Sequence, residues 1–266
     1  MTAIQILKRI APLMVLLFGS VASADALEEI IERGTIRVGV AEFVPVTMKA
    51  KAGGHIGYDI DVANKIAKDM GVKAEFTVYD WVDIIPALEN DEVDIVAGTM
   101  AITPERALRV NFSWPLATSG AGIATNTSMT QDIETLEQLN DPDIVITTVT
   151  DTFSDGVART IFNRAAITPH PTKDLAEKEI LEGRAHVYIS SLPAVRFLEM
   201  NNEGRVDLPL REPLLAYSEG IAVQKGEQEL LNFLNAWVTA RSTDKWLTTT
   251  HDYWFGTLDW VEDVAR

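Results

Sequence analysis

The feature that most constrains this chain is an alternation of short strand-like segments with amphipathic helices along most of its length. Such alternation demands mainly parallel sheets, because each strand must return through a helical crossover. Thr35 to Val40 reads as a strand opened by Gly34. Tyr58 to Met70 reads as a helix, with Ile60, Ala63, Ile66 and Ala67 on one face and Gly71 as its stop. Lys73 to Tyr79 is a second strand, Trp81 to Asn90 a short helix and Val93 to Ala97 a third strand. Pro104 opens a further helical turn, at a position where a missing amide costs nothing. The middle repeats this grammar, with strands at Asp143 to Thr148 and His186 to Ser190. Helices are expected at Ser154 to Asn163, Lys173 to Glu182 and Leu192 to Asn201, then at Glu229 to Arg241, which is strongly striped by Leu230, Phe233, Leu234 and Trp237. Gly53-Gly54 marks a hairpin turn before His55. Long Gly/Ser linkers are absent, so two lobes joined by short crossings fit better than separate beads.

The first residues carry an address. Lys8 and Arg9 precede an apolar run from Ile10 to Phe18, and Ala22-Ser23-Ala24 supplies a small-x-small cleavage pattern. Residues 1–24 are therefore expected to be a signal peptide cleaved after Ala24, delivering the chain to the periplasm. The run is shorter than the roughly 20 residues a membrane-spanning helix needs. A buried N-terminal helix is the competing reading. The chain contains no Cys, which excludes disulfides, thiol chemistry and Cys-based metal sites. The four His residues (His55, His170, His186, His251) lie far apart, so no metal is expected. Formal charge is −16, and loss of Lys8 and Arg9 takes it to −18. Such a surface repels phosphate backbones, so nucleic acid is a poor partner. An anionic ligand would need a local cation against that field.

Two strings are more specific: GYDIDVANKIAKDMGVKAEF (Gly57 to Phe76) and WVDIIPALENDEVDIVAGTMAITPERALRVNFSWP (Trp81 to Pro115). With EGIAVQKGEQELLNFLNAW (Glu219 to Trp237), they closely resemble the amino-acid type of periplasmic solute-binding protein, family three. The resemblance spans nearly the whole mature chain and weakens between Thr127 and Arg211. It implies an α/β, two-lobed periplasmic binding protein fold of type II, with a ligand cleft between the lobes. Two crossing hinge strands are expected near Ser119 to Thr125 and Ser218 to Val223. Residues 25–119 and 222–266 would form lobe one, and residues 120–221 lobe two. The implied function is capture of a small carboxylate-bearing ligand, an amino acid or derivative, by hinge closure. Delivery would be to an ABC permease and its ATPase, with no cofactor and a monomeric chain.

The resemblance also distributes roles. Arg106, in the TPER string, would grip the ligand carboxylate, for which a guanidinium fork is well matched. A surface Arg paired with Glu105 is the plainer reading. Thr99 falls where a carbonyl accepts the ligand's amino group, and Ala101 where an amide donates to its carboxylate. Asp151, Thr152, Phe153 and Ser154 open a predicted helix, whose free amides favour an anion. The family's Gly-Thr-Thr aligns there, with Asp151 in place of Gly; Thr152 and Ser154 could equally serve only as helix caps. Phe43 and Trp81 match positions that sandwich the ligand, although aromatic residues are more often core. Glu42 sits where the family commonly has an acid, or is a solvated loop carboxylate.

One departure concerns the amino group. Where family members usually carry an ammonium-pairing Asp, the aligned string HVYISSLP places Ser191. Asp151 or Glu42 would have to supply the charge, or the amino group is substituted, or the ligand has none. Two other functions compete. Cyclohexadienyl dehydratases share this fold, and Glu42, Asp151 or Glu219 could serve as the general acid that such catalysis needs. A ligand sensor docking to a separate receptor is the third. The aromatic segment with Tyr253, Trp254, Phe255 and Trp260 is expected to pack back onto lobe one.

Overall fold

The computed structural model describes residues 26–257 and 259–265, so the signal-peptide reading of residues 1–24 lies outside the described residues. In chain order, α1 (Ala26–Arg33) leads into β1 (Thr35–Val40) and a hairpin of β2 (Met48–Lys49) and β3 (His55–Ile56). Next come α2 (Tyr58–Met70), β4 (Lys73–Val78), α3 (Ile84–Glu89), β5 (Ile95–Ala101), α4 (Pro104–Ala107), β6 (Asn111–Phe112) and the long β7 (Ala117–Asn126). The second lobe holds β8 (Val145–Val149), α5 (Phe153–Ile161), β9 (Ala166–His170), α6 (Lys173–Leu181), β10 (Val187–Ser191), α7 (Leu192–Asn201) and β11 (Val206–Asp207). The chain then returns along β12 (Leu215–Val223) to α8 (Gln228–Thr243) and α9 (Trp246–His251).

Strand order is β4-β1-β5-β12-β7-β10-β8-β9. The two outer groups, β4-β1-β5 and β10-β8-β9, are parallel, as the strand-helix alternation requires. Between them β12 and β7 run antiparallel to each other, in register from Leu215–Ala121 to Glu219–Ala117. These are the two crossings, and each is longer at its start than the sequence motif indicates.

Each outer group carries its own core. Ile36, Val38, Ile66 and Ile95 pack with Leu230, Leu234 and Trp237 of α8, whereas Ile123, Ile146, Val157, Phe162 and Ile189 form a second cluster. Fully burying one such side chain is worth about 1.5–3 kcal/mol. The C-terminal tail does pack on the first core. Trp254 and Trp260 are both buried, and their indole N–H groups donate to Asp61 Oδ2 at 2.7 Å and to the Trp254 carbonyl at 3.0 Å. A buried indole keeps its place only when its polar edge is satisfied in this way. Trp260 also stacks on Phe197 of α7 at 5.7 Å, a contact from the first lobe to the second.

Helix α2 illustrates how local sequence places the cleft wall. Its Ile60, Ala63, Ile66 and Ala67 are buried, and Gly71 ends it in the left-handed region at φ 77°. At its other end Gly57 has φ 140°, and a Cβ there would collide with the Val46 carbonyl. Glycine therefore lets α2 press against the Phe43–Thr47 turn. Strand β9 was not legible in the sequence because Pro169 interrupts it. It lies on the sheet edge, where a missing amide breaks no ladder bond. Helix α1, whose Ile30 is buried, also went unread.

Candidate functional site

In an open parallel sheet, ligand crevices lie beyond the carboxyl ends of the strands. Here four such ends converge. β1 ends beside Ala41 and Phe43, β5 beside Thr99 and Ala101, β8 beside Thr152, and β10 at Ser190 and Ser191, all around one cavity of about 80 Å³ between the lobes.

Arg106 enters this cavity from a single capped turn. Thr103 Oγ1 accepts from the Arg106 amide at 3.3 Å, and Pro104 starts the turn. The guanidinium then folds back, with Nη1 donating to the Ala101 carbonyl at 3.0 Å and Nη2 to the Asp151 carbonyl at 3.1 Å. Its Cζ lies 5.1 Å from the centroid of the Trp81 ring. Five N–H donors minus these two contacts leave capacity for a bidentate carboxylate. Burial pulls the Arg106 pKa below its ordinary value, while Tyr217, Asp151 and Glu105 oppose that shift.

Trp81 Nε1 also donates to the Asp151 carbonyl, at 3.1 Å. Two donors of the first lobe thus hold one backbone oxygen of the second, and the lobes meet over the cavity. Asp151 adopts φ 58°, the left-handed conformation that suits glycine. Its carbonyl, rather than its carboxylate, makes the contact. Thr152 caps α5, its Oγ1 accepting from the Asp155 amide at 3.2 Å while donating to the Val149 carbonyl at 2.8 Å. Thr152, Phe153 and Ser154 at this helix start all line the cavity. Capping and cavity lining therefore coincide. Phe43 meets Trp81 edge to face at 5.8 Å, and Phe153 meets Tyr217 at 4.5 Å.

Of the residues singled out by sequence, Phe43, Trp81, Thr99, Ala101, Arg106, Thr152, Phe153 and Ser191 share this cavity. Glu42 does not. Its carboxylate faces Lys49 at 3.3 Å and His55 at 3.4 Å, beside a separate pocket across Phe43. The β2–β3 hairpin supplies both partners, which draws the acid away from the cleft. Asp151 lines the outer groove beside Arg106 rather than the cavity itself.

Two further acids line the cavity: Asp59, which sequence reasoning missed, and Glu219, which it raised only as a possible general acid. They are 5% and 2% exposed. Thr99 Oγ1 donates to Asp59 Oδ2 at 2.9 Å, whereas Asp59 Oδ1 and Glu219 Oε2 have no hydrogen-bond partner. Burial pushes the Asp59 carboxyl up to about 7, with Thr99 pulling the other way. Glu219 is raised well above its ordinary value by burial and then by the Asp59 charge, against the effect of Ser119. Both sit near a register break. Glu219 pairs with Ala101 and Gly220 with Met100, but Ala222 pairs with Val96, leaving Ala97 to Thr99 bulged. Bulges commonly re-aim side chains at sites. The signal at Glu219 was an ionisable residue inside an apolar strand, beside GIAV, where a charge has no ordinary reason to be.

The fold is that of the two-lobed periplasmic binding proteins. The model for bacterial extracellular solute-binding proteins, family 3, matches residues 36–257, and the chain belongs to that family. Cyclohexadienyl dehydratase of Pseudomonas aeruginosa is 26% identical over 170 residues, an alignment that covers 64% of this chain and 63% of that protein. Among solved structures, an ancestral amino acid-binding protein described as a precursor of cyclohexadienyl dehydratase is 34% identical, with a TM-score of 0.78 over 86% of this chain and 99% of that one. A candidate binding component of an ABC transporter from Wolinella succinogenes, complexed with lysine, is 30% identical with a TM-score of 0.79 over the same shares.

Proposed function

We propose that this protein captures a small carboxylate-bearing ligand, an amino acid or a derivative, between its lobes and delivers it to an ABC permease with its ATPase. The observation that carries the reading is Arg106, held with spare donors at a cavity where the carboxyl ends of four strands meet. Ligand contacts to both lobes would favour closure, since only differential affinity shifts an open–closed balance. The amino-acid part is supported by the relatives, one of which is a lysine complex. In this reading the chain is a non-enzymatic monomer, exported to the periplasm and cleaved after Ala24. Residues 25–119 with 222–266 and residues 120–221 move as the two lobes; Ile221 packs with the first core, which favours a boundary slightly earlier on β12.

Saturating ligand should stabilise the protein by about 2.7 kcal/mol at a hundred times its dissociation constant. A thermal-shift screen of amino acids, their derivatives and organic acids measures this. A folded protein that responds to none of them refutes the proposal.

One observation favours a second reading. A cavity acid whose hold on its proton is strengthened by burial, as at Glu219, is the kind of group a dehydratase would need to protonate a departing hydroxide. Turnover of prephenate or arogenate by the purified protein would replace binding with catalysis; absence of product would leave the transport reading in place.

A further inference from the structure

Beside the inner cavity runs a wider groove of different chemistry. Its walls come from both lobes, with Val82, Ile85 and Ile102 on one side and Val157, Ile161 and Leu215 on the other. The groove offers about 650 Å³ and the cavity about 80 Å³. Small-molecule clefts commonly span about 300–1,000 Å³ and are lined mainly by apolar side chains with a few polar anchors. Groove and cavity meet at Trp81, Ile84, Arg106, Thr152 and Phe153, which line both.

Three of the aliphatic side chains along this groove, Val82, Ile161 and Leu215, are 37%, 39% and 51% exposed. Grouped apolar surface of this kind marks a place where something apolar is received. The polar groups nearby are largely engaged. Arg109 is held by Glu89 through two bonds of 2.8 and 2.5 Å, and the Thr160 hydroxyl donates to the Gly156 carbonyl at 2.8 Å. Arg106 is the lining cation with donors to spare, and it lies where groove and cavity meet. Glu105 and Asp151 also line the groove, so beyond Arg106 it disfavours a second anion. The cavity side adds a further constraint. Ser191 is neutral where an ammonium partner is expected, so nothing on that wall requires the ligand to carry a free ammonium.

We infer that the groove is a subsite for an apolar chain carried by the ligand, so that the protein takes carboxylates with an aliphatic extension: a medium-length fatty acid, or an amino acid acylated on its nitrogen. The inference rests on carboxylate capture at Arg106 and names the rest of the same ligand. The carboxylate takes the spare donors of Arg106, and the chain runs along the groove between α3 and α5. Each methylene moved from water onto those walls tightens binding by up to about fourfold. Because the walls belong to different lobes, the chain also favours closure.

The test is calorimetric titration of the mature chain with two homologous series. One is butanoate, hexanoate, octanoate and decanoate; the other is N-acetylglycine, N-hexanoylglycine and N-octanoylglycine, with glycine and L-lysine as references. The expected result is an affinity that rises with chain length, by about tenfold or more from the shortest to the longest member of one series. The series that responds tells which head the cavity accepts. Ile161→Gln and Leu215→Thr place polar residues suited to a helix and to a strand at exposed positions, so both should fold with melting temperatures near that of the parent. Each should weaken the longest member by about threefold or more and leave the shortest unchanged. Affinity independent of chain length in the parent overturns the inference, as does a rise that both folded variants keep in full. Either result leaves capture at Arg106 intact. Absence of binding by every probe, references included, overturns both.

Discussion

The two walls of the cleft are built from different chemistry. The first lobe and the crossing strand β12 contribute every charged side chain of the lining, Arg106, Asp59 and Glu219, whereas the second lobe contributes hydroxyls, Phe153 and a helix start. Two of the charged groups are held by hydrogen bonds to their surroundings. Arg106 is fixed by two carbonyls, and Asp59 by Thr99. Thr152, by contrast, uses its hydroxyl to cap its own helix. Under the proposed function this difference divides the labour, one wall offering charged groups to the ligand and the other closing over it. Neutral groups suit the closing wall, since bringing a new charge out of water at closure would carry a desolvation cost.

The sharpest way to break this comparison is Arg106→Ala. If the first wall carries recognition, affinity for any carboxylate ligand should fall by about a thousandfold, as expected when one partner of a desolvated charge pair is removed. Titration calorimetry reads this directly, and near-native affinity would place recognition elsewhere.

A smaller effect should appear in stability without ligand. Asp59 and Glu219 have native pKa values above their unfolded ones, so the native chain holds protons that the unfolded chain has released. Stability is then lost as pH rises from about 4 to about 7 for Asp59, and Glu219 adds a loss in the same direction. Glu219→Gln should therefore be more stable than the parent at pH 8 by about 2 kcal/mol, with the difference vanishing near pH 4. The groups facing Glu219 are Asp59, Tyr58, Tyr217 and Ser119, and they are unchanged in that variant. Urea denaturation of both proteins across this range measures the difference; a pH-independent gap would contradict it.

The smallest effect belongs to the second wall. Asp151→Gly keeps the carbonyl that Arg106 and Trp81 hold and relieves the left-handed backbone. It should raise stability by about 0.5–1 kcal/mol and leave affinity unchanged within about twofold. A loss of affinity would mean that the Asp151 carboxylate, not just its backbone, takes part in binding.

Much of the site was legible because its residues belong to continuous strings. Arg106, Ala101 and Thr99 lie within one strand and one turn, and Thr152 and Phe153 lie at one helix start, so local grammar was enough to group them. Glu42 was misplaced for the complementary reason. Its direction depends on Lys49 and His55 of a hairpin whose packing no neighbouring residue announces. Asp59 reads locally as an acid favouring a helix start, and Glu219 as the first residue of a crossing motif. That they meet in one cavity depends on α2 and β12 both packing against β5, which are long-range contacts.

The sequence by itself determined the parallel α/β architecture and grouped Arg106 with the residues that share its cavity, because strand and helix periodicity and short motifs are written along the chain. Only the tertiary structure decided which charges share the cleft. Burial and pairing of a side chain are set by residues more than a hundred positions away, and a carboxyl becomes a buried, unpaired acid only once those distant strands have closed around it.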